Sequence, residues 1–441
     1  MKKILALTLF FSGLLSGCGV AQKQAPFNGA EAWQELEQAL RQHYAYLHRS
    51  DLDTDALFQE FGARAAKATT PQMFADISQQ FLRHFTDPHL NLGPYNSEDY
   101  SVYPTGSDIY AEFVPTSQAE STNKSDTLKL MVLDVKAGSA ADIAGIRPGQ
   151  EVLTIDGLSV KHAVEKVFGE HFGQLTAAQA NYGANISLGG FRNQPRQLTL
   201  RRDQHQQALT LAASYDAINT LKDGATVTAR QFGEVGYIRF NNSLGNNETP
   251  DAFKAALNQL PESSSLIIDL RNTPSGGNTG VAEPILGHFA QAKSPYQRYQ
   301  VQQKGTPYSQ ATMQTAYATP TAPAYPHPFV VLAGHWTGSM GEGMTIGLDA
   351  LGAKAVVGTP MAKLLGGIKT IQLTKSQTWL EVGFERLYHI NGIFREDYRP
   401  TILTQSADRD PQGNDPALTA AINILMASGT LRTSALHSEM H

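Results

Sequence analysis

Three short apolar runs in the second half of the chain, residues 266–270 (LIIDL), 328–333 (PFVVLA) and 355–358 (AVVG), leave little choice of fold. A strand that is apolar toward both sides needs cover on both, and a parallel sheet with crossover helices supplies it. The stretches between the runs read as those helices. Thr249-Pro250 opens one that carries Phe253, Leu257 and Leu260, and Met344, Leu348 and Leu351 keep one face of another. Residues 235–240 (VGYIRF) alternate like a further strand. The expected fold class is therefore α/β, with an open core over residues 225–430. At 441 residues the chain has room for more than that one domain.

Upstream the periodicity changes twice. Across residues 30–85 the apolar positions Trp33, Leu36 and Leu40, then Leu57 and Phe61, then Phe74, Ile77 and Phe81 have helical spacing, which predicts an N-terminal helical domain over residues 28–95. It ends in Phe85-Thr86-Asp87-Pro88-His89-Leu90, where the proline blocks helix continuation and leaves His89 at a domain edge. Residues 103–215 then hold short strands, Leu128–Val135, Glu151–Ile155 and residues 197–201, separated by glycines and polar turns; this predicts a small mixed α/β module. Residues 305–328 read as a surface loop flanking a cleft, and residues 431–441 as a flexible tail.

Residues 1–18 place Lys2 and Lys3 before an apolar run too short to span a bilayer, the pattern of a secretory leader. Cys18 is the only cysteine, so disulfides within the chain and thiolate metal clusters are excluded. Residues 19–27 read as a polar tether. The formal charge of −5 leaves no basic surplus for nucleic acid.

The segment with the most chemistry is His335-Trp336-Thr337-Gly338-Ser339-Met340-Gly341-Glu342-Gly343-Met344, which follows a buried strand and opens a helix. There Ser339 meets free backbone N–H groups and the positive end of the helix dipole, which favour a developing oxyanion. The same position also suits a serine that only caps the helix. A nucleophilic serine needs a base. His84 and His89 together suggest a metal pair, but no third ligand presents itself, so no metal is expected.

Several motifs resemble known families. Leu15-Ser16-Gly17-Cys18 resembles the bacterial lipobox, which implies a lipidated Cys18 as membrane anchor in the cell envelope; Gly19 after it implies the outer membrane, facing the periplasm. Gly138-Ser139-Ala140-Ala141-Asp142-Ile143-Ala144-Gly145 through Gly157 resembles a circularly permuted PDZ domain. Such domains take peptides by strand addition. The candidate docking segment, Ile109-Tyr110-Ala111-Glu112-Phe113, lacks the usual glycine-rich carboxylate loop, so docking and architectural roles both stay open.

The order buried strand, Gly-Ser-x-x-Glu, helix, Gly352-Ala353, Val356-Val357-Gly358-Thr359-Pro360 resembles the catalytic core of the tail-specific (C-terminal processing) serine peptidases and the tricorn core. The resemblance implies a crotonase/ClpP-like α/β protease core, peptide or unfolded-protein substrates, no cofactor, and Ser339 as nucleophile, with Glu342 on the family's usual acid. Asp269-Leu270-Arg271-Asn272-Thr273-Pro274-Ser275-Gly276-Gly277 looks like the family's Asp-Leu-Arg-x-Asn-x-Gly-Gly signature with one residue inserted. It implies an oxyanion hole from Gly276 or Gly277 with Met340. In the family's lysine branch the base falls where this chain has Leu364, and Lys363 stands one position early. In the other branch a histidine of an Asp-x-His motif serves, which implies His89 in Asp87-Pro88-His89. The acid that orients it then comes late in the chain: Glu396, with Asp397 as the alternative, although either could simply pair with Arg395 or Arg399. The expectation is an exported lipoprotein serine endopeptidase working through an acyl-enzyme. The alternatives are an inactive peptide-binding lipoprotein of the same fold, and an esterase, whose Gly-x-Ser-x-Gly elbow is missing.

Overall fold

The computed structural model describes residues 26–438 except 50–51, 117–127, 217–223, 261–262 and 303–307. The expected leader, Cys18 and most of the expected tether lie outside the described residues.

Six strands build the core sheet, in the order Ile402–Leu403, Val356–Gly358, Phe329–Ala333, Ser265–Asp269, Val235–Phe240 and Val227–Phe232. All neighbours run parallel except the last pair, an antiparallel hairpin. The strands Ser265–Asp269 and Phe329–Ala333 are buried at every position, as their apolar runs require. Helices Thr249–Asn258, Thr279–Gly287 and Met340–Ala350 cover one face, where Phe253, Ile285 and Met344 pack on Ile268 and Val331. On the other face Ala417, Ala421 and Leu425 of helix Pro416–Ser438 meet Ile267, Val330, Leu332 and Val357. Burying a side chain of this size contributes about 1.5–3 kcal/mol. The α/β class expected of the chain is what the structure shows. The closing helix continues through residues 431–438, which were expected to form a flexible tail; no proline interrupts this alanine- and leucine-bearing stretch.

A second, antiparallel sheet joins Ile109–Pro115, Leu128–Val135, Glu151–Ile155, Arg196–Arg202 and His205–Leu211 in that spatial order. Helices Val160–Phe168 and Ala177–Gly189 close its core around Val132, Val164, Phe168 and Leu200.

Helices Gly29–His43, Thr54–Ala65 and Pro71–Arg83 each start on a side-chain cap, from Asn28, Asp53 and Thr70. Their shared core takes in Leu373, Leu380 and Val382 from the hairpin Ile368–Leu373/Thr378–Gly383, and Asn91–Gly93 adds a strand to that hairpin. Residues 28–95 therefore share one core with the C-terminal part of the chain, since three short helices cannot bury their apolar faces alone. This union carries His89 to the edge of the α/β core. Among the described residues no helix is long and apolar enough to cross a membrane.

Candidate active site

The turn from strand Phe329–Ala333 into helix Met340–Ala350 is fixed by Thr337. Its hydroxyl donates to the Leu270 carbonyl at 3.0 Å and accepts the Gly334 N–H at 2.9 Å. The chain then enters the helix through Ser339 with φ 51° and ψ −111°. An L-residue held there costs of order 1–3 kcal/mol, and such strain persists where the surroundings over-determine it. The buried Glu342 carboxylate takes the Ser339 N–H at 2.9 Å.

Gly276 stands against this serine so closely that a Cβ there would lie 2.4 Å from the Ser339 Cβ, and its φ of 64° also favours glycine. Its N–H donates to the Thr273 carbonyl at 3.0 Å and is thereby spent. This corrects the expectation of Gly276 as an oxyanion donor: its part is close approach. The N–H groups of Gly277 and Met340 have no acceptor among the described residues, and both residues line one cleft with Ser339.

That cleft, with a volume of about 450 Å³, also holds His89, Leu364, Gly366 and Arg395. Ser339 and His89 thus share a cavity, although no hydrogen bond joins them; contacts of this kind commonly tighten only with substrate bound. The His89 Nδ1 lies 3.2 Å from the Leu365 carbonyl oxygen. Burial first, and the Arg395 charge second, push the His89 pKa down to about 3, so the ring is neutral. Asp87 Oδ1 accepts the N–H of His89 at 2.9 Å and of Leu365 at 3.3 Å, while Oδ2 accepts the Tyr44 hydroxyl at 3.0 Å. Burial raises the Asp87 pKa to about 7.

Residues 363–366 form a strap between the two candidate catalytic residues. Glu342 accepts the N–H of Lys363 at 2.9 Å and of Leu364 at 3.1 Å. The buried Arg395 guanidinium donates to the carbonyls of Leu364 at 2.6 Å and Gly366 at 3.1 Å, and lies 3.7 Å from Glu342. Burial outweighs these partners and lifts the Glu342 pKa to about 7.

The late acids fall elsewhere. Glu396 and Asp397 both hydrogen-bond the guanidinium of Arg49, which also lies over the Phe394 ring. The structure does not bring the expected Glu396 to His89, because an arginine from the helical segment claims both carboxylates. Lys363 contributes its backbone to the strap, but its side chain lines a second cleft with Tyr110, Glu112, His335 and Arg399, away from Ser339. Sequence reasoning missed the Leu365 carbonyl, a backbone group at a position with no distinguishing side chain, and saw Arg395 only as an ion-pair partner.

In the antiparallel module, the outer edge of strand Ile109–Pro115 is already occupied. Asn185 accepts the Ala111 N–H at 3.0 Å and donates to the Ala111 carbonyl at 2.9 Å, and Asn181 accepts the Phe113 N–H at 2.8 Å.

Residues 234–403, which hold Ser339, both glycines and the strap, match the profile of peptidase family S41. Over that stretch, 170 of its 441 residues, the chain is similar to that family. Carboxy-terminal processing protease CtpB of Bacillus subtilis is 28% identical over 175 residues, which cover 38% of this chain and 32% of CtpB. The match thus spans about a third of the length of that relative. Among solved structures, the photosystem II D1 C-terminal processing protease superposes with a TM-score of 0.53 at 16% identity, covering 87% of this chain and 94% of that one. Mature CPAF complexed with lactacystin gives a TM-score of 0.57 at 13% identity, covering 93% and 99%. At these identities the two structures speak for the S41 fold.

Proposed function

We propose that this chain is a serine endopeptidase that cleaves unfolded or C-terminal protein segments through an acyl-enzyme on Ser339. The observation that carries the reading is the strained Ser339 at a helix N-terminus, sharing one cleft with a neutral imidazole and two unspent backbone N–H groups. His89 Nε2 takes the Ser339 proton as Oγ bonds the peptide carbonyl carbon. The N–H groups of Gly277 and Met340 receive the oxyanion. His89 returns the proton to the leaving amine as the C–N bond breaks, and water then completes hydrolysis by the same route. Carboxy-terminal processing in the names of CtpB and the D1 protease supports the substrate class.

The test is covalent labelling of the purified full chain by a fluorophosphonate. Label on Ser339 that disappears in Ser339→Ala and His89→Ala supports the enzyme. An inactive peptide-binding protein is the second reading, favoured by the carbonyl standing where a triad carboxylate is expected, and an unlabelled wild type would establish it. The leader and lipobox-like residues 1–18 support export and a lipid anchor at Cys18 in the outer membrane. Cys18→Ser should then move the protein from the membrane fraction to the soluble periplasm. The antiparallel module serves as a PDZ-like architectural element, since asparagines fill the edge that strand addition would use.

A further inference from the structure

We propose that the backbone carbonyl of Leu365 orients the His89 imidazole, and that Asp87, Glu342 and Arg395 act as positioning residues that hold this carbonyl in place. The inference rests on the peptidase reading of Ser339 and His89 and says how that pair is set without a triad carboxylate.

A carbonyl oxygen only accepts, so the 3.2 Å contact puts the neutral ring's proton on Nδ1 and leaves the lone pair on Nε2, the nitrogen a base must use. The acceptor is not a casual loop oxygen. Every peptide group around it is held by a buried side chain: Glu342 takes the N–H of Lys363 and Leu364, Asp87 takes that of Leu365, and Arg395 takes the carbonyls on either side, of Leu364 and Gly366. Two of these anchors also fix the reacting residues. Asp87 Oδ1 holds the backbone of His89 and the backbone of its acceptor on the same oxygen. Glu342 holds Ser339 and the strap together. The relative places of nucleophile, base and acceptor are thus set by two buried carboxylates that never touch the imidazole, while Glu396 is engaged by Arg49.

In the reaction the Ser339 proton goes to Nε2 as the Oγ–C bond forms. The imidazolium keeps its Nδ1–H on Leu365, and the Nε2 proton leaves with the amine. A neutral carbonyl fixes tautomer and direction but lends no full counter-charge, in keeping with a ring held neutral by burial.

The experiment uses full-length protein carrying 15N-histidine, with the His89 signal assigned by His89→Gln, and fluorophosphonate labelling rates measured alongside. The Nδ1–H tautomer is expected in wild type and in Glu396→Gln, with Glu396→Gln labelling within roughly threefold of wild type. Asp87→Ala should lose the single tautomer and slow labelling by roughly 30-fold or more. Asp87→Asn, whose Oδ1 still accepts both N–H groups while Tyr44 can turn to accept, should restore both. An Nε2–H or mixed tautomer in wild type overturns the proposal, as does a tenfold or larger loss in Glu396→Gln. If Asp87→Ala does not fold, wild type and Glu396→Gln decide alone. Absence of label with the Nδ1–H tautomer intact refutes the peptidase reading and leaves the assigned orientation standing.

Discussion

Glu342 and Ser339 are joined across the first helical turn by a 2.9 Å hydrogen bond from the serine N–H to the buried carboxylate. The same carboxylate gathers two strap N–H groups and faces Arg395. Removing it strands three donors and a buried guanidinium. Glu342→Ala should therefore lose roughly 3–5 kcal/mol of stability by denaturant unfolding, together with fluorophosphonate reactivity. Glu342→Gln keeps one accepting oxygen and should lose less of both. A Glu342→Ala protein as stable as wild type would show that the strap is not anchored there.

Gly276 gives a second test that separates room from hydrogen bonding. Its N–H is already spent on Thr273, so an alanine there deletes no oxyanion donor. The added Cβ would instead press on Ser339 at 2.4 Å with φ at 64°. Gly276→Ala should abolish labelling of Ser339 at a stability cost of roughly 1–2 kcal/mol, measured by thermal unfolding. Labelling at the wild-type rate would mean that the glycine and the serine do not approach as described.

The parts of this architecture that announce themselves are side-chain patterns of short range. Apolar runs such as LIIDL are legible as doubly covered strands, and Ser339 as a residue opening a helix, because both depend on neighbours in the chain. Pro88 marks His89 as a domain edge, and the Asp-x-His pattern of Asp87-Pro88-His89 marks it as a base through the family resemblance. Pairings between distant segments left no such mark. Arg49 with Glu396 and Asp397, the hairpin that completes the helical core, and strand Gln314–Ala318 within a stretch read as loop all depend on partners far along the chain. The Leu365 carbonyl is least legible of all, since any residue carries one.

Asn185 holds both backbone groups of Ala111 on a strand edge, and Asn181 holds Phe113. Asn185→Ala leaves the Ala111 N–H and carbonyl buried without partners, at a cost of roughly 1–3 kcal/mol. Hydrogen exchange at the Ala111 amide, slow in wild type, should become faster in the variant by the corresponding factor. Equal exchange in both proteins would show that the edge is not sealed by this side chain.

His335 supplies the pH test. Its ring stacks on Tyr110 with centroids 3.5 Å apart, and burial first, then the nearby Lys363, push its pKa down to about 3 from a usual 6.5. A lowered histidine pKa means that the unfolded chain binds a proton the folded chain refuses. The stability it contributes is therefore fully present above pH 6.5 and is lost as pH falls toward 3. Opposite-sign contributions come from Asp87 and Glu342, both raised to about 7, so the informative quantity is a difference between variants. His335→Phe keeps a ring on Tyr110 and removes the titration. Between pH 6.5 and 4 the wild type should lose stability faster than this variant by up to about 1.4 kcal/mol per pH unit, read from denaturant midpoints. A difference that does not change with pH would place a solvated, ordinary histidine at that position and remove burial as the cause.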